Sequence, residues 1–362
     1  MKQSLCVSYY FFLLIMGNIS CTSWSSLHVG RPQDLVRECR DGDYHSCWEK
    51  TDVAPFNQLI FSWNAQRPEQ GVYRFFVAVR DQATQTWLPA HEVARWGRSR
   101  SGKPLQFSLE SKRRRSSSFV HVRLELPNGH LADSFAVFVY TCQGAAIEGV
   151  QRLFVNTINL NNFKSERGNK FIKKLSSTTI KKVPNYSQMC IKHPRCDSMC
   201  SPTSLSMALA YGLKTPINPK GTAIGVYDPG LDAYGSWPFN TAYAFEKSGG
   251  TLFAHVQRLP SFAVLHDYLV KKIPVIVSIR GPIRGGALPY QRGHLLVVTG
   301  YDNKTQRVIC HDPAFPSPQR VLTSYRLRDF LEAWEKSYRL AYVMAPVKVP
   351  QERHIPSDST AP

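Results

Sequence analysis

Between Leu59 and Val155 the chain alternates short apolar runs with polar and turn-forming residues. Runs at 59–63, 72–80, 86–88, 105–109, 119–126, 135–140 and 153–155 are rich in β-branched and aromatic residues, several with every second position apolar. Such a series predicts an antiparallel β-sandwich over 21–160, of immunoglobulin-like or carbohydrate-binding-module size. Lys and Arg then crowd a polar stretch at 161–182, which predicts an exposed basic linker. From 183 to 346 the periodicity changes. Leu205, Ala208, Leu209 and Gly212 share one helical face, with Ser201 as N-cap, Pro202 at the first helical position and Gly212 as the stop. Further helices are expected near 238–247, 262–272 and 327–335, with strands at 274–280, 294–299, 307–311 and 340–344. Polar residues 303–306 turn the chain between two of these strands. That hairpin, with a turn closed by Asp302 and Thr305, sets His294 opposite Pro313 and one residue from Asp312; a one-residue slip would exchange the faces. The fold class expected is α+β, an N-terminal sandwich followed by helices on an antiparallel sheet, with a mobile tail at 347–362.

At 362 residues and 43% hydrophobic composition the chain can fill two domains. Its formal charge of +19 is concentrated at Arg95, Arg98 and Arg100, at 112–115 and at 164–182. Basic runs dock on anionic surfaces, and no recognisable nucleic-acid module accompanies these, so nucleic acid is set aside and an anionic envelope surface is the expected partner. Lys2 precedes an apolar run at 7–16, too short to span a bilayer as a stable anchor, and small residues follow it. This is the layout of a signal peptide over 1–20 and implies an exported protein, periplasmic, envelope-attached or secreted. Ser20-Cys21 also fits a lipoprotein signal with Cys21 as an N-terminal lipid anchor, although Asn18 stands where an aliphatic residue is usual; ordinary cleavage or a retained signal anchor are the alternatives. In an oxidising compartment Cys39 with Cys47, and Cys190 with Cys196, are close enough in sequence to bridge locally.

Candidate chemistry centres on Cys200. A cysteine at the start of a helix sits beside free N–H groups and the positive end of the helix dipole, which favour the thiolate. His294 is the candidate base, Asp312 its orienter and Gln188 the candidate oxyanion donor. Cys190, His193, Cys196 and Cys200 form a rival set whose residue types and spacing could hold zinc instead. A surface-binding protein on the same scaffold, with little or no catalysis, is the third reading. Trp237, Phe239 and Tyr243 read as core aromatics.

Several segments resemble the papain-like cysteine peptidases of the bacteriocin-leader (double-glycine) peptidase superfamily, in particular its broad C39-like bacterial branch. They are Val-Pro-Asn-Tyr-Ser-Gln188, Cys200-Ser-Pro-Thr-Ser-Leu, Gly-Ser-Trp-Pro-Phe-Asn240, Ile-Pro-Val-Ile-Val-Ser278, Gly-His294-Leu-Leu-Val-Val-Thr-Gly-Tyr-Asp302 and Asp312-Pro-Ala, in that order. The resemblance implies a papain-like peptidase domain over 183–346 acting on a protein or peptide substrate without a cofactor. It implies Cys200 as nucleophile, His294 as general base, Asp312 as orienter and Gln188 in the oxyanion hole. Ser201 departs from the Gly common after the nucleophile in related peptidases, and sulfur and imidazole groups crowd the loop before it.

Overall fold

The computed structural model describes residues 23–32, 37–38, 44–112 and 116–347. The expected signal peptide, Cys21, Cys39 and residues 348–362 of the expected tail lie outside the described residues.

Among the described residues the first half holds twelve strands: β1 (Ser25–Gly30), β2 (Arg37–Glu38), β3 (Tyr44–Lys50), β4 (Gln58–Ala65), β5 (Val72–Asp81), β6 (His91–Arg98), β7 (Pro104–Ser108), β8 (Ser111–Lys112), β9 (Ser118–Val120), β10 (Arg123–Glu125), β11 (Ala132–Cys142) and β12 (Val150–Ile158). They form two six-stranded antiparallel sheets, ordered β1-β12-β4-β10-β9-β8 and β2-β3-β11-β5-β6-β7. One apolar cluster draws on both sheets, with Leu59, Phe61 and Trp63 from the first and Phe75, Val77, Val137 and Val139 from the second. Residues 119–126 were expected as one strand. They form the tight hairpin β9–β10 instead, with His121 and Val122 at φ of 46° and 57°. A two-residue turn with both residues left-handed matches the twist of paired strands, and the unbroken apolar alternation through Val122 conceals it.

In the second half, α1 (Cys200–Leu213), α2 (Pro219–Val226), α3 (Trp237–Lys247), α4 (Phe262–Val270), α5 (Pro318–Val321) and α6 (Leu327–Glu335) accompany a seven-stranded antiparallel sheet. That sheet runs β14 (Leu252–Arg258), β19 (Leu340–Pro346), β15 (Val275–Ile279), β16 (His294–Asp302), β17 (Arg307–His311), β18 (Leu322–Arg326), with β13 (Thr178–Thr179) added against β16. The result is the expected mixture of antiparallel sheet with few helices. The basic stretch 161–182 departs from the expected exposed linker: Ile172 and Ile180 are buried in the core of the second half, and β13 pairs Thr179 with Gly300. A Cβ at Gly300 would meet the carbonyl oxygen of Thr178 at 2.6 Å, so this approach needs glycine.

Edge chemistry joins the two halves. β14 is an edge strand of the third sheet, and an open edge leaves N–H groups unpaired. Side chains from the first sheet fill them. Ala254 N donates to Asn64 Oδ1 (3.1 Å), Val256 N to Ser62 Oγ (3.2 Å) and Arg258 N to Asn156 Oδ1 (2.8 Å), alternate positions along one strand. Asn64 Nδ2 also donates to Ala254 O at 2.7 Å, so this side chain imitates a strand partner. Phe239 of α3 is fully buried and stacks on Trp96 and edge-on to Trp63, which places it in the core, as its apolar context predicted. Asn64→Ala leaves both polar groups of Ala254 without partners and is expected to cost about 1–3 kcal/mol of unfolding free energy. Urea unfolding of the variant checks this.

Candidate active site

Cys200 opens α1 as its first residue, with Met199 as N-cap. The sequence places Cys200 ahead of a Ser201 cap; in the fold, the helix begins two residues earlier, with Met199 as cap and Pro202 inside the first turn. Gly212 does not stop the helix, which ends at Lys214 in left-handed conformation (φ 55°). Gly212 lies inside α1 where a Cβ would meet Leu252 at 3.0 Å, so close packing explains it rather than termination. The first turn lies over β16. Ser204 donates to Leu295 O at 3.0 Å, and the N–H groups of Leu295 and Ser201 are hydrogen-bonded to the Cys200 sulfur.

His294 begins β16, directly after Gly293 at φ 94°. The hairpin β16–β17 forms, but its register differs from expectation. Asp302 pairs with Arg307, so the turn takes four residues, and a bulge between Val298 and Gly300 shifts the ladder to Val297 opposite His311. His294 and Asp312 meet all the same, with His294 Nε2 2.8 Å from Asp312 Oδ1. That leaves Nδ1 of the ring for the hydrogen bond between His294 and Cys200.

Asp312 is fully buried and saturated. Oδ1 accepts from His294 and from Ala314 N (2.9 Å), an Asx turn made by the Asp-Pro pair. Oδ2 accepts from Tyr290 Oη at 2.7 Å and Tyr325 Oη at 2.6 Å. Tyr290 also lies flat on the His294 imidazole, with ring centroids 4.2 Å apart and planes at 6°. These two tyrosines were not singled out by sequence reasoning. Tyr290 lies in a Gly- and Pro-containing loop and Tyr325 on the unanticipated β18, so neither carries a local signal. Tyr290→Phe removes a donor to the carboxylate and the acceptor for Ala287 N–H. We expect it to lower unfolding free energy by about 1.5–3 kcal/mol while the retained ring stack preserves Cys200 alkylation; Tyr290→Ala should lose both, as measured by urea unfolding and thiol labelling.

Electrostatics favour an ion pair. Burial alone would raise the Cys200 thiol, but the hydrogen bond and charge of His294 and the N–H groups of Leu295 and Ser201 outweigh it, so its pKa falls below the ordinary value. Burial would depress His294; the Asp312 carboxylate and Cys200 reverse this and bring it up to about 10. Asp312 is penalised by burial, yet His294 and the two tyrosine hydroxyls hold it below the usual carboxylate range. The lowered thiol beside the raised imidazole favours the thiolate–imidazolium form of the pair.

Gln188 is also buried, and its backbone N–H donates to Pro313 O at 2.9 Å, which ties its turn to the Asp312 loop. Its Nε2 donates to Cys196 O (3.1 Å) and Asp197 O (2.7 Å), holding the loop that leads into Cys200. Both amide hydrogens are therefore engaged by the protein rather than turned to the sulfur. Behind the nucleophile, Tyr342 Oη lies 3.1 Å from Ser201 Oγ, and Ser201 Oγ donates to Asn240 Oδ1 at 2.9 Å. The Asn240 amide is oriented by donating to Tyr234 O and Ser236 O, so the chain runs one way, Tyr342 to Ser201 to Asn240. A serine in place of the usual glycine thus has an assigned partner.

The zinc arrangement is corrected. Cys190 is exposed with its sulfur toward Pro316 O, His193 Nδ1 accepts from Arg195 N at 3.0 Å, and Cys200 is engaged by His294. Among the described residues no group of three or more His, Cys, Asp or Glu is placed to hold a metal ion. The local bridge expected between Cys190 and Cys196 is corrected as well, since both carry free thiols.

Residues 180–342 match the model of the Peptidase_C39 like family. Among solved structures, a crystal structure from Bacillus anthracis of a protein described as a C39-like peptidase is similar at 17% identity. The match covers 48% of this chain and 99% of that one, with a TM-score of 0.37, too low to establish a shared fold. No curated protein matches the chain.

Proposed function

We infer, from the match of residues 180–342 to the model of the Peptidase_C39 like family, that this protein is an exported cysteine peptidase acting through Cys200, His294 and Asp312. The observation that carries the reading is the buried chain from Cys200 through His294 to Asp312, with His294 Nε2 2.8 Å from the carboxylate. The Cys200 thiolate attacks the carbonyl carbon of a peptide or isopeptide bond, forming the C–S bond and pushing the carbonyl electron pair onto oxygen. The oxyanion is met by the backbone N–H of Cys200 at the start of α1, since the Ser201 N–H is given to the sulfur, Pro202 has none and the Thr203 N–H donates to Met199 O, joined by Gln188 once one of its amide hydrogens leaves a loop carbonyl. As the tetrahedral intermediate collapses, the C–N bond breaks and imidazolium His294 gives its proton to the leaving amine. Neutral His294 then takes a proton from water, which attacks the thioester and releases the acid and the thiolate. Asp312 keeps the ring oriented throughout and stabilises its charged form.

kcat/KM should rise as pH climbs through the lowered Cys200 pKa, and fall as it climbs through the raised His294 pKa, because each step destroys one partner of the ion pair. We read the two six-stranded sheets as a β-sandwich accessory domain over 21–160, fixed to the peptidase domain over 183–346 by the edge contacts of β14. Export through a signal peptide at 1–20 remains part of the proposal, motivated by the apolar run at 7–16. The test is cleavage of a peptide library by the purified protein with Cys200→Ala as control. Cleavage present in the wild type and absent in the variant supports the reading; a folded, reduced wild-type protein that cleaves nothing contradicts it.

A further inference from the structure

The basic segment before the peptidase domain is ordered, and its order displays an unusual pair of features. Phe171 is 75% exposed, the highest value for any large hydrophobic side chain among the described residues, while its neighbour Ile172 is 2% exposed and locked into the core. Phe171 N donates to Asn169 Oδ1 at 3.0 Å, and Tyr301 Oη donates to Ile172 O at 3.4 Å, so the turn carrying the ring is held from both sides. Lys170, Lys173 and Lys174 flank it in sequence and Lys164 precedes them in the same segment; all are exposed, and none takes part in an ion pair among the described residues. Lys174 Nζ hovers 5.5 Å from the Phe171 ring centroid. Arg167 alone of this run is neutralised, by Glu332 and Glu335. No acidic residue occurs in the sequence between Glu166 and Asp197.

We propose that this turn is a docking knob for an anionic lipid bilayer, with Phe171 entering the boundary between headgroups and acyl chains and the lysines meeting lipid phosphates. Lysines alone would suit any polyanion. An apolar ring held out in water beside them adds a need for an apolar interior beneath the anionic surface, and a bilayer has both. The fold also fixes the consequence. The knob joins the sheet through β13 at the Gly300–Tyr301 end of β16, whereas His294 lies at the opposite end, about 20 Å away along the strand. A docked protein therefore holds His294, and Cys200 beside it, away from the docking turn, toward substrates outside the membrane.

The test uses the full chain and vesicles of phosphatidylcholine with or without phosphatidylglycerol. Sedimentation should recover the protein with the anionic vesicles only, and high salt should release it. The triple variant Lys170→Glu, Lys173→Glu, Lys174→Glu should bind at least about tenfold more weakly, and its unfolding curve should match the wild type. Phe171→Trp, a change at an exposed position, should gain fluorescence quenching by brominated phosphatidylglycerol beyond that of the wild-type tryptophans. Vesicle binding that survives charge reversal while Trp at 171 stays unquenched would overturn the proposal and place attachment elsewhere, such as the apolar run at 7–16. Binding to soluble polyphosphate without binding to anionic vesicles would overturn it in favour of a polymer ligand.

Discussion

His294→Ala is expected to lower peptide hydrolysis by about 10³- to 10⁴-fold and to move the pH dependence of Cys200 alkylation upward. The two effects share one cause. The Cys200 sulfur is held as thiolate against the penalty of burial chiefly by the hydrogen bond and charge of His294, with the Leu295 and Ser201 N–H groups adding less. Without the imidazole, burial dominates and the thiol titrates later, so a rate measured near neutrality falls even before the proton-transfer role is lost. Alkylation of Cys200 followed by mass spectrometry across pH separates these contributions. An unshifted profile would mean that the helix terminus alone sets the thiol.

Asp312→Ala is expected to be the single change in the site most damaging to stability, and to cost activity as well. The carboxylate accepts four hydrogen bonds while fully buried, from His294, Ala314 N, Tyr290 and Tyr325. Truncation strands two hydroxyls and leaves a buried imidazole with no counter-ion, so unfolding free energy should drop by about 3–5 kcal/mol. The variant that does fold should hydrolyse about 10⁴-fold more slowly. Asp312→Asn keeps the shape but not the charge and should recover stability more than rate. Urea unfolding and kcat/KM on the two variants measure the split. Equal losses in both quantities for both variants would reduce Asp312 to a structural residue.

What the sequence made legible was mostly local. Helix α6 matches its predicted bounds, and α3 and α4 are recovered nearly whole, because each repeats an apolar face at helical spacing. The meeting of His294 with Asp312 was readable from two β-branched runs around a polar turn, although the bulge at Thr299 was not. A bulge costs one residue of register, and it is specified here by the strap at 178–179 approaching Gly300, a contact far away in sequence. The same limit hid β14. Its edge is completed by Ser62, Asn64 and Asn156 from another sheet, so its stability comes from partners that no local window contains. The tyrosines on Asp312 stayed hidden for a related reason, since a phenol that buries its ring and spends its hydroxyl on a carboxylate looks like any core aromatic. Cys190, His193 and Cys196 erred in the other direction. Close spacing suggested convergence, but the backbone turns them apart.

The central claim, that Cys200 is an activated thiolate paired with His294, is tested most directly by limiting iodoacetamide on the native, reduced protein at about pH 6.5, below the ordinary thiol range, with labelled sites read by peptide mapping. Half-buried Cys200 should be alkylated ahead of exposed Cys190, because charge rather than access governs the rate. Labelling of Cys190 first, with Cys200 unreactive until alkaline pH, would contradict it.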